Sequence, residues 1–319
     1  MSAEMPTPRL GLTVALTIGL LALPFIGTTL NVSAIVGLGT QILIYAIAAM
    51  SLNLILGYGG MVSFGHAAFF GIGGYVVGIL YQHFSEGSAF LVAVPLAMLV
   101  SGAAAAIIGA FSLRTGGVQF IMITLAFAQM LFYLFVSLKT YGGDDGLMMR
   151  RRDALPFLDT SNDTTFYFLC LVLAALWFAL TAAIVRSPFG FVLAGLRQNE
   201  RRMAAMGAAP YPYKLVAFVI AGMGAGLAGA LMANYLRFVS PDMMHWAKSG
   251  ELMMIVILGG VGTLSGPLLG AAAFVLLETS LTAATENWQL PLGVTLLAIV
   301  LFTRGGLSAI LRRMLGEKA

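Results

Sequence analysis

Charged residues are absent from long stretches of this chain. No Asp, Glu, Lys or Arg occurs from Leu10 to Ser85, a run of 76 residues. Further charge-free runs cover 87–113, 115–138, 164–185, 215–236, 252–277 and 287–303. About 20 apolar residues carry a helix across the hydrocarbon core of a bilayer. The first run holds three such lengths, and most of the others hold one each. Gly, Pro and charge divide the pattern into predicted spans near 10–27, 34–56, 59–81, 89–112, 117–138, 166–185, 214–236 and 288–303. The stretch 251–278 is long enough for one tilted span, but Gly259-Gly260-Val261-Gly262 and Ser265-Gly266-Pro267 interrupt its middle. Backbone groups freed there need protein around them rather than lipid. The stretch is either a broken helix or two half-helices that turn back.

Composition agrees with the pattern. Hydrophobic residues make up 60% of the 319 positions and charged residues 9%. A water-soluble domain cannot cover its surface with so little charge. A cytosolic globular enzyme, a disordered chain and a secreted disulfide scaffold are all excluded. The one cysteine, Cys170, sits in an apolar run, which excludes a disulfide framework and a cysteine metal site. Residues Met1–Arg9 contain Glu4, Pro6 and Pro8 without a strongly basic region, and read as a short cytoplasmic lead into a retained helix. The expected fold class is an all-α polytopic membrane protein of about 8–10 transmembrane or half-membrane helices, with Gly-rich interruptions.

Basic residues set an orientation. With the N-terminus cytoplasmic and 251–278 returning to its starting side, the inner segments hold Arg9, Arg114, Arg186, Arg197, Arg201, Arg202, Lys214, Arg304, Arg312, Arg313 and Lys318, which is 11. The outer segments hold Lys139, Arg150, Arg151, Arg152, Arg237 and Lys248, which is 6. This obeys the positive-inside rule, whereas one complete crossing at 251–278 would push the basic C-terminus outside. The expected organisation is a single domain over 1–319. Spans at 10–185 and 214–304 flank a cytoplasmic loop at 186–213, and a cytoplasmic tail covers 305–319. Two loops are long. The outer one, 139–165, carries Tyr141-Gly142-Gly143-Asp144-Asp145-Gly146 and Arg150-Arg151-Arg152-Asp153. The inner one begins Ser187-Pro188 and closes at Pro210 and Pro212, leaving room for a short helix along the membrane.

Ionisable residues inside a membrane are costly and usually functional. The centres of the predicted spans have none except His66, and Glu251 and Glu278 lie only at segment ends. A carboxylate relay and a voltage sensor are therefore disfavoured, and the energy source is expected outside the membrane. Polar residues within spans are Gln41, Ser51, Asn53, Ser63, His66, Gln119, Thr124, Gln129 and Asn234. They read either as interhelical hydrogen bonding, worth about 1 kcal/mol each, or as a polar lining for a passing solute. Asn53, Ser63 and His66 suit the second role, because they flank an interrupted segment; His66 alone also suits a hydrogen-bonded structural histidine. The pattern I-L-G-x-x-G-x-x-S occurs at 55–63 and again at 257–265. Repeated halves with matching interruptions are a transporter arrangement, and chance is the competitor in a Gly- and Leu-rich chain. Small residues four apart (Gly74 and Gly78; Gly222 and Gly226; Gly262, Gly266 and Gly270) allow close helix packing. A serine-protease pairing of Ser265 with His66 is disfavoured, since Thr263 occupies the first Gly of G-x-S-G.

The segment 51–71, SLNLILGYGGMVSFGHAAFFG, resembles a signature of the LivM-type permeases of branched-chain amino acid ABC transporters. The segment 258–267, LGGVGTLSGP, resembles their second signature. Gly142-Gly143-Asp144-Asp145-Gly146-Leu147 is similar to the T-G-G-x-D-G-L stretch of their outer loop, with Tyr141 where Thr is usual. Related permeases for urea and short amides share these motifs. The resemblance implies that a short cytoplasmic helix docks on an ATPase subunit through an E-A-A…G pattern. Here Glu200, Ala204, Ala205 and Gly207 match it, with Arg201 where the first Ala would be.

The implied function is the permease subunit of an ATP-driven importer of branched-chain amino acids. As a permease subunit it is not expected to be an enzyme, and it has no ATP site of its own, since G-x-x-x-x-G-K-[ST] is absent. It binds no cofactor or metal and no nucleic acid, and ATP is used by its partners. Those partners are a second homologous permease, two cytoplasmic ABC ATPases and an extracytoplasmic binding protein, assembled in the lipid of a bacterial inner membrane. Arg197, Asn199, Glu200, Arg201, Arg202, Ala204, Ala205 and Gly207 are the implied ATPase-coupling residues. Asn53, Gly57, Gly60, Ser63, Gly65, His66, Gly259, Gly260, Gly262 and Ser265 are candidates for the translocation path. Gly143, Asp144, Asp145 and Gly146 form the implied docking loop for the binding protein. The alternatives are a urea or amide permease and a stand-alone channel or secondary carrier.

Overall fold

The computed structural model describes residues 33–84, 90–155, 158–284, 287, 289–302 and 305–309. The span predicted at 10–27, the Met1–Arg9 lead, and Arg304, Arg312, Arg313 and Lys318 lie outside the described residues. The rest is helical, with one short strand pair. In chain order the helices are α1 (Ser33–Asn53), continued by a wider π turn at Leu54–Tyr58, α2 (His66–His83), α3 (Phe90–Ser112), α4 (Val118–Ser137) and α5 (Asp163–Arg186). The short α6 (Pro188–Gln198) and α7 (Glu200–Ala205) follow. Then come α8 (Pro210–Leu236), α9 (Trp246–Gly259), α10 (Gly266–Ala284) and α11 (Gln289–Phe302). Among the described residues, six helical segments are long and apolar enough to cross a membrane: Ile35–Tyr58, Phe90–Ser112, Val118–Ser137, Asp163–Arg186, Pro210–Leu236 and Gly266–Ala284.

Local chemistry explains the boundaries. Asn162 caps α5 by accepting from the Thr164 N–H, with Asp163 in the first turn and Arg186 in the last, as the helix dipole favours. Ser187 caps α6 and Pro188 supplies its first residue. Pro95 lies inside α3, where neighbouring helices can re-satisfy the freed backbone groups. The predicted span at 59–81 is shorter as a helix. Residues 59–65 are irregular, because Gly60 takes a positive φ of 68° and the Ser63 hydroxyl accepts from the Gly65 N–H instead of letting the helix continue.

Burial separates centre from rim. The window in Ile35–Tyr58 is 78% buried and that in Pro210–Leu236 is 72%, against 17% for Val118–Ser137. So α1 and α8 form the middle, and α4 lies outside. Small residues let α8 in: a Cβ on Gly226 would lie 2.9 Å from the Ala97 carbonyl of α3, and one on Gly73 of α2 would lie 2.6 Å from Gly226 Cα. The hydroxyl of Ser101 on α3 donates to the Phe69 carbonyl of α2 at 3.1 Å, closing the α2–α3–α8 unit.

Contacts define two ends. At one end, Gly57, Arg197, Gly262 and Gly306 neighbour the turns that follow α1 and α9; this is the elbow end. At the other, Leu147–Met148 pairs antiparallel with Phe238–Val239, making the hairpin end. The stretch 251–278 is two helices, α9 and α10, that pack on each other and turn at 260–265 in the elbow end. The two helices run antiparallel, with Gly259 against Gly266 and Gly270 against the Ile255 carbonyl.

Candidate functional site

The two interrupted segments meet. Asn53 stands at the end of α1, where the π turn widens the helix, a distortion that recurs at functional sites. Its Oδ1 accepts from the Gly262 N–H at 2.9 Å and its Nδ2 donates to the Thr263 carbonyl at 2.9 Å. One side-chain amide thus satisfies an N–H and a C=O from two different peptide units of the second break. The approach requires glycine on both sides. A Cβ on Gly57 would lie 2.6 Å from Gly262 N, and Gly262 itself has φ of 76°. Inside the break, the Thr263 hydroxyl donates to the Gly260 carbonyl at 2.7 Å. Gly259 and Gly260 pack against Gly266 and against residues 305–308.

Arg197 joins this crossing from outside. It is the penultimate residue of α6, and its Nη1 donates to the Gly57 carbonyl. A Cβ on Gly60 would meet the Arg197 stem at 2.8 Å, and one on Gly262 would meet Nη1 at 3.2 Å. So Asn53, Gly57, Gly60, Gly262 and Arg197 form one cluster, from three separate parts of the chain. Its ligands are peptide groups and its charge is a guanidinium.

Ser63, Gly65 and His66 form a second cluster at the start of α2. Ser249 of α9 accepts from the Ala67 N–H at 2.9 Å and donates to the Phe64 carbonyl at 2.7 Å. With the Ser63–Gly65 bond, two serines occupy the helix N-terminus. His66 is wholly buried, and neither ring nitrogen has a hydrogen-bond partner. Its ring lies edge-on to Phe69 at 6.1 Å. The expected hydrogen-bonded histidine is therefore not seen, and no His66–Ser265 dyad forms. Ser265 is half-buried, its carbonyl accepting from the Leu269 N–H. No group of three or more metal-ligating side chains occurs among the described residues.

The remaining coupling candidates project outward. The short helix expected in the inner loop is split at Asn199, whose extended backbone and side chain cap α7 by accepting from the Arg202 N–H at 3.0 Å. Glu200 pairs with Lys214 of α8. Arg201, Arg202, Ala204, Ala205, Met206 and Gly207 are all exposed, and Met206 is 66% exposed. Gly207 has φ of 90° with open space around it.

At the hairpin end, Asp144 and Asp145 are exposed, in a turn built on positive φ at Gly142, Gly143 and Gly146. A cleft of about 660 Å³ opens nearby, lined in part by Met148, Arg150, Tyr235, Arg237 and Phe238. Two groups were not singled out from the sequence. One is the buried Arg152, bonded to the Asn234 carbonyl, the Thr160 carbonyl and Asp163. The other is a charged group within the helices: Lys248 lies over the Tyr45 ring, at the middle of Ile35–Tyr58, and pairs with Glu251. The expectation that charge stays at segment ends is corrected here, because α9 starts at Trp246 and carries Lys248 inward. Only a Lys three residues before a Glu, on one helical face at the edge of a charge-free run, signalled it.

The sequence pattern of the family described as "Branched-chain amino acid transport system / permease component" matches residues 34–303. The chain is 29% identical over 308 residues to the high-affinity branched-chain amino acid transport system permease protein LivM of Salmonella typhimurium, covering 89% of this chain and 72% of that protein. It is 28% identical over 307 residues to the corresponding LivM of Escherichia coli, with the same coverage. A probable branched-chain amino acid transport permease protein LivM of Methanocaldococcus jannaschii is 23% identical over 288 residues, 79% of this chain and 82% of that protein. No solved structure matches the chain.

Proposed function

We infer this chain's work from the family it belongs to, the permease components of branched-chain amino acid transport systems. In finer terms, it is the inner-membrane permease subunit of an ATP-driven importer of branched-chain amino acids. It pairs with a second, related permease, two cytoplasmic ABC ATPases and an extracytoplasmic binding protein. The partners hydrolyse ATP, and this chain holds no cofactor. The elbow end faces the cytoplasm, with 186–213 as its coupling loop.

The observation that carries this reading is the Arg197–Gly57 hydrogen bond. It ties the loop that bears the exposed α7 to the point where both breaks meet. A push on α7 shifts α6, and Arg197 passes the shift to the Gly57 carbonyl. Asn53 links that carbonyl's segment to Gly262 and Thr263, so the two breaks move together. Glycines at positive φ give both breaks conformations that other residues resist. Alternating access follows if α1 and α9–α10 tilt about these points while the α2–α3–α8 unit stays packed.

The test is uptake by the reconstituted complex. Leucine should accumulate only with ATP, both ATPases and the loaded binding protein, and excess urea should not compete. Competition by urea would favour an amide permease on the same scaffold. Flux through this chain without any ATPase would overturn the coupling and leave a channel or carrier.

A further inference from the structure

The group around Lys248 is unbalanced. Lys248 on α9 pairs with Glu251, one turn on, at 2.5 Å, and its ammonium stands 5.1 Å from the centre of the Tyr45 ring. Glu278 of α10 stands one turn on from Phe274, whose ring meets the Tyr45 ring edge-on at 6.5 Å. Its Oε2 is shielded from solvent and has no hydrogen-bond donor. The Lys248–Glu251 pair and Glu278 thus gather around Tyr45, near the middle of Ile35–Tyr58, one cation with two carboxylates. The Lys248–Glu251 pair neutralises itself, so Glu278 is the carboxylate left over. An uncompensated charge at this depth costs several kcal/mol unless something covers it. The face is open in this chain, since the Lys248 and Glu251 side chains are 23% and 26% exposed.

We propose that Glu278, oriented by the Lys248–Glu251 pair, receives the α-ammonium group of the amino acid as it crosses. This deepens the reading above and rests on it. A primary ammonium supplies what Glu278 lacks: a positive charge and N–H donors. The surroundings suit the rest of an aliphatic amino acid. One turn from Glu251 and from Glu278 lie Met254 and Leu281, both partly buried. Tyr45 meets Phe274 edge-on at 6.5 Å behind them. The site distinguishes an amino acid from its neutral or anionic analogues, because urea has no ammonium and a 2-oxo acid repels a carboxylate.

Two measurements test it. The first is modification of Glu278 by dicyclohexylcarbodiimide in the full chain in lipid nanodiscs, read by mass spectrometry. Leucine should slow the reaction, and 4-methyl-2-oxopentanoate should not. Equal protection by both, or by neither, overturns the proposal. The second is uptake by the complete importer. Glu278→Gln should lower leucine uptake by about tenfold or more, the loss of one charge-assisted hydrogen bond. Glu278→Asp should recover part of the rate. Wild-type uptake by Glu278→Gln overturns the site. Should Glu278→Gln fail to assemble, the labelling result on the unaltered chain decides. That labelling needs no ATPase, so it separates failure of the site from failure of the importer reading, which wild-type uptake decides.

Discussion

The two ends of the molecule are fastened differently. At the hairpin end the loop is bolted from within. Arg152 is 6% exposed, and it holds the Asn234 carbonyl, the Thr160 carbonyl and Asp163, with the Phe166 ring 4.5 Å below its guanidinium. Asn234 in turn accepts from the Asp153 N–H and donates to the Asp153 carboxylate. At the elbow end the loop hangs on Arg197, on the Glu200–Lys214 pair and on the Asn199 cap, with exposed side chains around them. A buried network resists separation, since each broken bond leaves a dry polar group. A solvated attachment yields, since water replaces what is lost. The difference makes the hairpin end the more firmly held of the two and the elbow the more loosely held.

If that contrast is sound, the largest loss of stability should come from Arg152. Arg152→Met leaves two buried carbonyls without donors, and should lower stability by about 3 kcal/mol. Thermal unfolding of the purified chain in detergent measures it. Arg152→Lys keeps the charge but cannot span three acceptors, and should recover less than half. A stable Met variant would dissolve the distinction between the ends. Next comes Asn234→Leu, which strips partners from both the N–H and the carboxylate of buried Asp153. It should lower stability by about 2 kcal/mol, and unfolding at the same lipid composition reads it.

Much of the architecture was legible because hydropathy reports where water is absent. Charge-free runs marked the helices, and Gly259 to Pro267 marked the turn between α9 and α10. Gly57 and Gly60 marked the first break, although apolar 59–65 passed for helix. The bland polarity of Asn53 hid its role, because its partners Gly262 and Thr263 are peptide groups 209 and 210 residues away. Arg197 looked like one more inner-loop cation, and only packing reveals its 140-residue reach to Gly57. Lys248 fell outside the charge-free run and so read as solvent-facing. Pairing with Glu251 and the Tyr45 face let α9 carry it inward. Hydropathy scores a side chain against water and says nothing of a partner waiting inside.

The elbow supplies the small effects. Glu200→Gln removes an exposed ion pair, and should change stability by about 0.5 kcal/mol, less at high salt. Calorimetry at two salt concentrations checks this. A shift as large as that of Arg152→Met would make the elbow as fixed as the hairpin end.

The smallest stability change should accompany a sharp functional one. Ala205 is exposed on α7. Ala205→Glu adds a bulky charge there and should alter stability by no more than about 0.5 kcal/mol. It is a cleaner probe than Gly207→Glu, because Gly207 sits at φ of 90° and any side chain strains it. If the elbow docks an ATPase, the added carboxylate blocks close approach. ATP-driven leucine uptake should then fall by about tenfold or more, while the unfolding temperature and membrane insertion stay put. A parallel fall in stability would mean that α7 is held as firmly as the hairpin end. Unchanged uptake would mean that force enters elsewhere, and the Arg197–Gly57 bond would then be a brace holding the breaks shut, not a linkage that moves them.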